Sequence, residues 1–175
     1  MRLFTAIKLS PGTEHLLTDI QARLKEQGIS GNFTNCNNLH ITLAFIGEYS
    51  RSDAVMKALK TVSFEPFSLS VGGEIGCFGE LLWVGIPKPK ALASLAGKVR
   101  RALEAVNIPF DRKPFKPHIT IVRRAAFEKD RLSAALNGMS VEKMTVDKIS
   151  LMDSRRINGR LVYTEIGAVR AKGFV

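Results

Sequence analysis

The chain has 175 residues, of which 45% are hydrophobic and 24% are charged, so its composition is that of a globular protein rather than a disordered one. Its 26 Lys and Arg outnumber 16 Asp and Glu, and the resulting formal net charge of +10 attracts polyanions such as nucleic acid. Every apolar run falls far short of the roughly 20 residues that cross a bilayer, and the early-charged N-terminus is unlike a secretory signal. We therefore expect a cytoplasmic protein without a membrane segment.

Hydrophobic periodicity divides the first half of the chain into five predicted elements. They are a strand at 3–9, an amphipathic helix at 13–27, a strand at 39–47, a helix at 51–59 and a strand at 67–71. A stretch rich in Asn and Gly at 28–38 is expected to be irregular, and the glycines between 72 and 79 are expected to form turns or bulges.

The same order of elements recurs in the second half. The predicted elements are a strand at 81–86, a helix at 91–106, a strand at 118–122, a helix at 128–136 and a strand at 144–152. Corresponding positions are 79 apart from Leu3 to Leu82, 78 apart from His40 to His118, and 77 apart from Phe67 to Met144. A nearly constant offset of this kind indicates an internal repeat.

We therefore predict a single α+β domain over residues 1–175, with a repeat of about 1–79 and 80–175. Its two interleaved lobes are expected to be related by a pseudo-twofold axis, with sheets rich in antiparallel pairs and helices on the outside. A C-terminal hairpin is predicted from strands at 149–156 and 160–167, because Asn158-Gly159 suits a tight turn with positive φ. We expect this hairpin to complete the second lobe.

The tripeptide His-Ile-Thr occurs at residues 40–42 and again at 118–120, and uses two of the three histidines. In a strand, side chains at i and i+2 share one face, so each copy presents an imidazole beside a hydroxyl. Because the copies occupy matching places in the repeat, a pseudo-twofold axis would bring both imidazoles to one ligand in a central cleft.

Two imidazoles that titrate near neutrality can divide the work of a general base and a general acid. Phosphodiester cleavage needs that division, and threonine hydroxyls can donate to the nonbridging phosphoryl oxygens. Neither histidine has a Cys, Asp, Glu or second His at the usual metal-site spacing, so we expect no metal. The chain also lacks the Gly-x-Ser-x-Gly sequence of a serine nucleophile, and the basic residues around the second motif favour a phosphate-bearing substrate.

Four segments resemble a known family: residues 1–7, 39–48, 82–85 and 114–123. They are similar to the two-histidine phosphoesterases, in particular the bacterial and archaeal RNA 2',3'-cyclic phosphodiesterases, also called 2'-5' RNA ligases. The resemblance covers essentially the whole chain and rests chiefly on the paired His-x-Thr motifs. It implies an enzyme that opens a terminal 2',3'-cyclic phosphate on RNA to a 2'-phosphate and that can join such ends, without metal or nucleotide cofactor.

The resemblance also implies residue roles. His40 corresponds to the proton donor and His118 to the proton acceptor, while Thr42 and Thr120 would hold the phosphate. Arg123 corresponds to a phosphate-binding arginine. Strict strand alternation from His118 instead places Arg124 on the catalytic face unless the strand bulges, so both arginines stay candidates.

Phe115, Lys116 and Arg124 are predicted to contact RNA, because aromatic and basic side chains bind single strands without sequence readout. For Trp83, packing in the core is favoured over base stacking. The predicted partner is RNA with a 2',3'-cyclic phosphate end, such as tRNA halves, bound by a monomer. Two alternatives stay open, namely a module that binds RNA ends without turnover and an enzyme that acts on a small cyclic nucleotide.

Overall fold

The computed structural model describes residues 1–173, which fold into ten β-strands, four α-helices and one 3-10 turn. In chain order the elements are β1 (Arg2–Lys8), α1 (Pro11–Glu26), β2 (Ser30–Phe33), the 3-10 turn (Cys36–Asn38), β3 (His40–Glu48), α2 (Ser52–Leu59), β4 (Phe67–Gly72), β5 (Ile75–Phe78), β6 (Leu81–Gly85), α3 (Lys90–Ala105), β7 (His118–Ala126), α4 (Lys129–Leu136), β8 (Val141–Val146), β9 (Lys148–Ile157) and β10 (Arg160–Arg170).

Two four-stranded antiparallel sheets form the two lobes. The first sheet has the order β10-β9-β1-β3 and the second the order β2-β7-β6-β5, so each lobe contains one of the two motif strands, β3 or β7. Strands β4 and β8, which correspond to each other in the predicted repeat, pair antiparallel as a third, two-stranded sheet. The prediction of a bilobal α+β fold rich in antiparallel sheet is confirmed.

The C-terminal hairpin forms where the sequence predicts it, but it belongs to the other lobe. Its turn has positive φ at Asn158 (50°) and Gly159 (78°), as the dipeptide suggests. Strand β9 pairs with β1 in the first sheet, so the prediction that the hairpin completes the second lobe is wrong. The physical reason is that β5 already pairs with one edge of β6. The corresponding edge of β1, the strand that matches β6 in the repeat, is available to β9.

Three local predictions also need correction. The stretch at 28–38 contains the short strand β2, and the glycines at 72–79 surround the strand β5. Gly76 is required there, because a Cβ at this position would lie 2.0 Å from the Trp83 ring. The strand predicted at 144–152 is two strands that belong to different sheets, with only Asp147 between them.

Helix α3 packs against the motif strand β3, and helix α1 packs against β7 and β8. Helix α1 begins where Ser10 Oγ accepts a hydrogen bond from the Thr13 backbone N–H and Pro11 supplies the fixed φ of a first turn. Its apolar stripe includes the fully buried Leu17 and Leu24, and one continuous core joins both lobes. Among residues 1–173, no helix is both long and apolar enough to cross a membrane.

Candidate active site

Each motif histidine is held by a carbonyl two residues earlier in the chain. His40 Nδ1 lies 2.7 Å from the Asn38 carbonyl oxygen, and His118 Nδ1 lies 2.6 Å from the Lys116 carbonyl oxygen. A carbonyl can only accept a hydrogen bond, so we assign the Nδ1 proton to both rings. In this tautomer Nε2 of each ring carries the free lone pair, and in His40 Nε2 lies 2.9 Å from Thr42 Oγ1.

Aromatic side chains form the wall beside each histidine. The His40 ring packs against Phe4 and Tyr163, with centroids 4.9 and 5.2 Å away, while Phe78 lies 5.3 Å from His118. Trp83, for which the core was predicted, lies on the cleft face instead, half-buried, 5.2 Å from Phe78 and 6.4 Å from His118. These rings exclude water from one side of each imidazole.

The two histidines differ in their electrostatic environment. The pKa of His40 is lowered from 6.5 to about 4, chiefly by burial and also by the nearby positive charges of Arg123 and His118, against the upward effect of the bond to Asn38. The free protein therefore holds His40 neutral at neutral pH.

His40, Thr120 and Arg123 line a single cavity of about 850 Å³. The two lobes thus bring a residue from each motif to one space, while His118 is not among the residues that line it. Thr42 adjoins this space through its contact with His40 Nε2. The cavity contains an imidazole, a hydroxyl and a guanidinium, which together can bind and protonate a phosphoryl group.

A β-bulge sets which of the two candidate arginines shares the face of Thr120. Thr120 pairs with Trp83 and Val122 pairs with Leu82, so Ile121 is an extra residue in β7. This residue shifts the alternation by one, which buries Val122 and turns Arg123 to the face of Thr120. Arg124 follows in a left-handed conformation with φ of 51° and is not among the residues that line the cavity.

The first motif strand has the same bulge. Thr42 pairs with Ala6 and Ala44 pairs with Thr5, so Leu43 is the extra residue, 78 positions before Ile121. The position of Phe45 in β3 corresponds to that of Arg123 in β7. The bulge therefore belongs to the repeated architecture, while the arginine is specific to the second motif.

Helix side chains hold the carbonyls of both bulges. Gln21 of α1 donates from Nε2 to the carbonyl oxygens of Ile121 and Thr34, each at 2.9 Å. Arg100 of α3 donates to the carbonyl oxygen of Leu43 at 3.2 Å. The sequence interpretation missed both residues. Two features of the sequence could have identified them. Gln21 is a polar residue on the apolar stripe of α1, and Arg100 follows it by 79 positions, close to the offset of the repeat.

The residues predicted to contact RNA lie outside the cavity. Phe115 packs against the core, with the Arg100 guanidinium 5.6 Å from its ring centroid, and the Lys116 ammonium lies 5.5 Å from the Phe78 ring. Arg124 is exposed on the bulged end of β7. Their roles in RNA binding stay predictions.

Metal ligands do not converge in the part of the chain that the structure describes. Within residues 1–173, no group of three or more His, Cys, Asp or Glu side chains is placed to hold a metal ion. Both cysteines are free and exposed. The imidazole, hydroxyl and guanidinium that line the cavity are a combination suited to a phosphate anion.

Comparison with known proteins shows the same family over most of the chain. The 2'-5' RNA ligase superfamily matches residues 10–158. Curated relatives named RNA 2',3'-cyclic phosphodiesterase include one from Methanothermobacter thermautotrophicus, 26% identical over 97% of this chain and 98% of the relative. Another, from Archaeoglobus fulgidus, is 32% identical over 70% of this chain and 72% of the relative.

Solved structures agree with the fold. The crystal structure of Escherichia coli LigT complexed with 3'-AMP is 24% identical, with a TM-score of 0.80 over 98% of this chain and 97% of that chain. The apo form of LigT is 25% identical, with a TM-score of 0.79 over 97% of this chain and 96% of that chain. The paired motifs, the two-lobed sheet architecture and these matches together show that the chain belongs to the 2'-5' RNA ligase superfamily.

Proposed function

We propose that residues 1–175 form a single two-histidine phosphoesterase domain that hydrolyses 2',3'-cyclic phosphate ends of RNA to 2'-phosphomonoesters. The observation that carries the proposal is the cavity that joins His40 of one lobe to Thr120 and Arg123 of the other. The net charge of +10 and the names of the relatives favour RNA as the substrate. The natural substrate we propose is RNA with such an end, for example tRNA halves, bound by a monomer in the cytoplasm.

The proposed reaction is an in-line displacement at phosphorus. His118 Nε2 takes a proton from water as the water oxygen bonds to phosphorus, and the bond from phosphorus to the 3' oxygen breaks. His40 Nε2 gives a proton to that oxygen, which leaves a 3' hydroxyl and a 2'-phosphomonoester. Thr42, Thr120 and Arg123 would hold the nonbridging oxygens as negative charge accumulates on them.

This assignment requires His40 to be protonated in the complex. Its pKa of about 4 in the free protein means that this form is rare at neutral pH before the substrate binds. A bound phosphate anion favours the imidazolium and raises this pKa, opposing the effect of burial and of Arg123. Substrate binding would therefore charge the proton donor.

We expect the titration of His40 to report this coupling. In the free protein the His40 imidazole should become protonated only as the pH falls towards about 4, and bound inorganic phosphate should move this midpoint to higher pH. Because the donor must be protonated, the His40 step should make kcat fall as the pH rises through the midpoint of the complex. The midpoints are measured by NMR of the imidazole carbons, after a control that activity returns when the enzyme goes back to pH 7. A midpoint near 6.5 in the free protein would contradict the environment described for His40.

The function is tested by identifying the product. An oligonucleotide that ends in 2',3'-cyclic phosphate should be converted to a 2'-phosphate end that phosphatase removes, and the rate should be unchanged in EDTA. Retention of the oligonucleotide without conversion would indicate a module that binds RNA ends, and conversion of mononucleotides alone would indicate a small-nucleotide enzyme. A 3'-phosphate product would exclude the proposed cleavage of the 3' oxygen bond.

Ligation follows from the same geometry if a 5' hydroxyl takes the place of water. His118 would then remove the proton of that hydroxyl, and the new bond would link its oxygen to the 2'-phosphate. The superfamily description supports this activity. It would appear in the product assay as a longer oligonucleotide when an RNA with a free 5' hydroxyl is added.

A further inference from the structure

The cavity beside His40 extends well beyond the two motifs. Its lining continues from Arg123 across β2 and the 3-10 turn to the β9–β10 hairpin, where Arg156 and Arg160 contribute. The lining contains three arginines and four asparagines, and no Asp or Glu belongs to it. The space is thus cationic and rich in amides along its whole length.

The β9–β10 hairpin is hydrogen-bonded to the segment that precedes His40. Asn38 Nδ2 donates to the Leu161 carbonyl oxygen at 2.8 Å, and Asn38 Oδ1 accepts from the Tyr163 backbone N–H at 3.2 Å. The carbonyl of the same Asn38 holds His40. At the tip, Arg156 Nη1 donates to the Gly159 carbonyl oxygen at 3.1 Å, which anchors this guanidinium beside the turn.

The spacing along β10 sets the distance between the hairpin arginines and the reaction centre. Tyr163 packs on the His40 ring, and Arg160 lies three residues earlier on the same strand. At about 3.3 Å per residue, the backbone of Arg160 lies roughly 10 Å from that of Tyr163. That separation is larger than one phosphate group, so the two positions along β10 can bind different phosphates.

We infer that the RNA strand leaves the catalytic pair along this cavity, and that Arg156 and Arg160 bind phosphates on the 5' side of the cyclic end. This inference rests on the proposed function and adds the path and polarity of the substrate. It differs from the surface predicted from the sequence, since Phe115, Lys116 and Arg124 do not line the cavity. Its consequence is a preference for oligonucleotides over mononucleotides, because only a longer strand reaches the hairpin.

The test compares kcat/KM on a hexanucleotide that ends in 2',3'-cyclic phosphate with kcat/KM on 2',3'-cyclic AMP. The variant R156Q/R160Q should lower the ratio of the two values about tenfold. Loss of two phosphate contacts should also reduce the slope of log(kcat/KM) against log salt for the hexanucleotide by about 1.4, at roughly 0.7 per contact on a single strand. The matched control K57Q/K60Q removes two exposed charges from α2 and the residue that follows it, and should keep the wild-type ratio.

Each other outcome is decisive. An unchanged ratio in R156Q/R160Q, or an equal fall in K57Q/K60Q, overturns the inference. A fall in the ratio in K116Q/R124Q alone would mean that RNA runs over the other face, which also overturns it. If the wild-type protein turns over neither substrate, the proposed function itself fails, a result that is distinguishable from the loss of length preference.

Discussion

Replacing His118 with alanine is expected to lower kcat on a 2',3'-cyclic phosphate end by about 10²- to 10⁴-fold, and replacing His40 should have an effect of the same size. Each change removes one proton transfer at the Nε2 that the Lys116 or Asn38 carbonyl leaves available. The phosphate would still bind through Arg123 and the threonines, so KM should change far less than kcat. Steady-state kinetics on a cyclic nucleotide measure both quantities.

The third histidine offers a matched control for this prediction. His15 is exposed on α1 and lies 3.5 Å from Asp19, so His15→Ala should retain wild-type activity. The double variant of His40 and His118 should be little worse than either single variant, because acid and base act as one unit. Near-normal turnover in both single variants would rule out the proposed mechanism.

Much of the fold was predictable because it follows from local periodicity and from the repeat. The strand alternation around His40 and His118 places imidazole and hydroxyl on one face, and the offset of 78 relates the two copies. The turn at Asn158-Gly159 was predictable from the conformations these residues tolerate. These features depend on neighbours in sequence, so the sequence contains enough to derive them.

The errors arise where distant parts of the chain compete for the same partner. The hairpin joins β1 rather than the second sheet because β5 already covers β6, and β5 was missed because Gly76 within it, typical of a turn, makes room for Trp83. The low pKa of His40 arises chiefly from burial, and the rings that pack against it, Phe4 and Tyr163, come from opposite ends of the chain. The bulge at Ile121 likewise depends on a bond from Gln21, 100 positions away.

The second large effect follows from that bulge, because substitutions of the two adjacent arginines should change activity by different amounts. Arg123→Ala should lower kcat/KM about 10- to 150-fold, because a hydrogen bond to a charged group contributes about 1.5–3 kcal/mol and each 1.4 kcal/mol is tenfold. Arg124→Ala removes the same charge from the next residue and should leave turnover of a mononucleotide within about twofold. Competitive inhibition by inorganic phosphate provides a second readout, which should weaken only in the Arg123 variant.

The role of the bulge in orienting Arg123 can be tested in the same experiment through Gln21→Met. Methionine preserves the length of this buried side chain but cannot donate to the carbonyls of Ile121 and Thr34, so the bulge loses its brace. If the brace acts through Arg123, Gln21→Met should weaken phosphate inhibition in the wild-type background and have no further effect in the Arg123→Ala background. Additive losses in the double variant, with thermal unfolding still well above the assay temperature, would show that Gln21 acts on the cleft by another route. A larger loss from Arg124→Ala than from Arg123→Ala would instead return the phosphate site to the arrangement that strict alternation predicts.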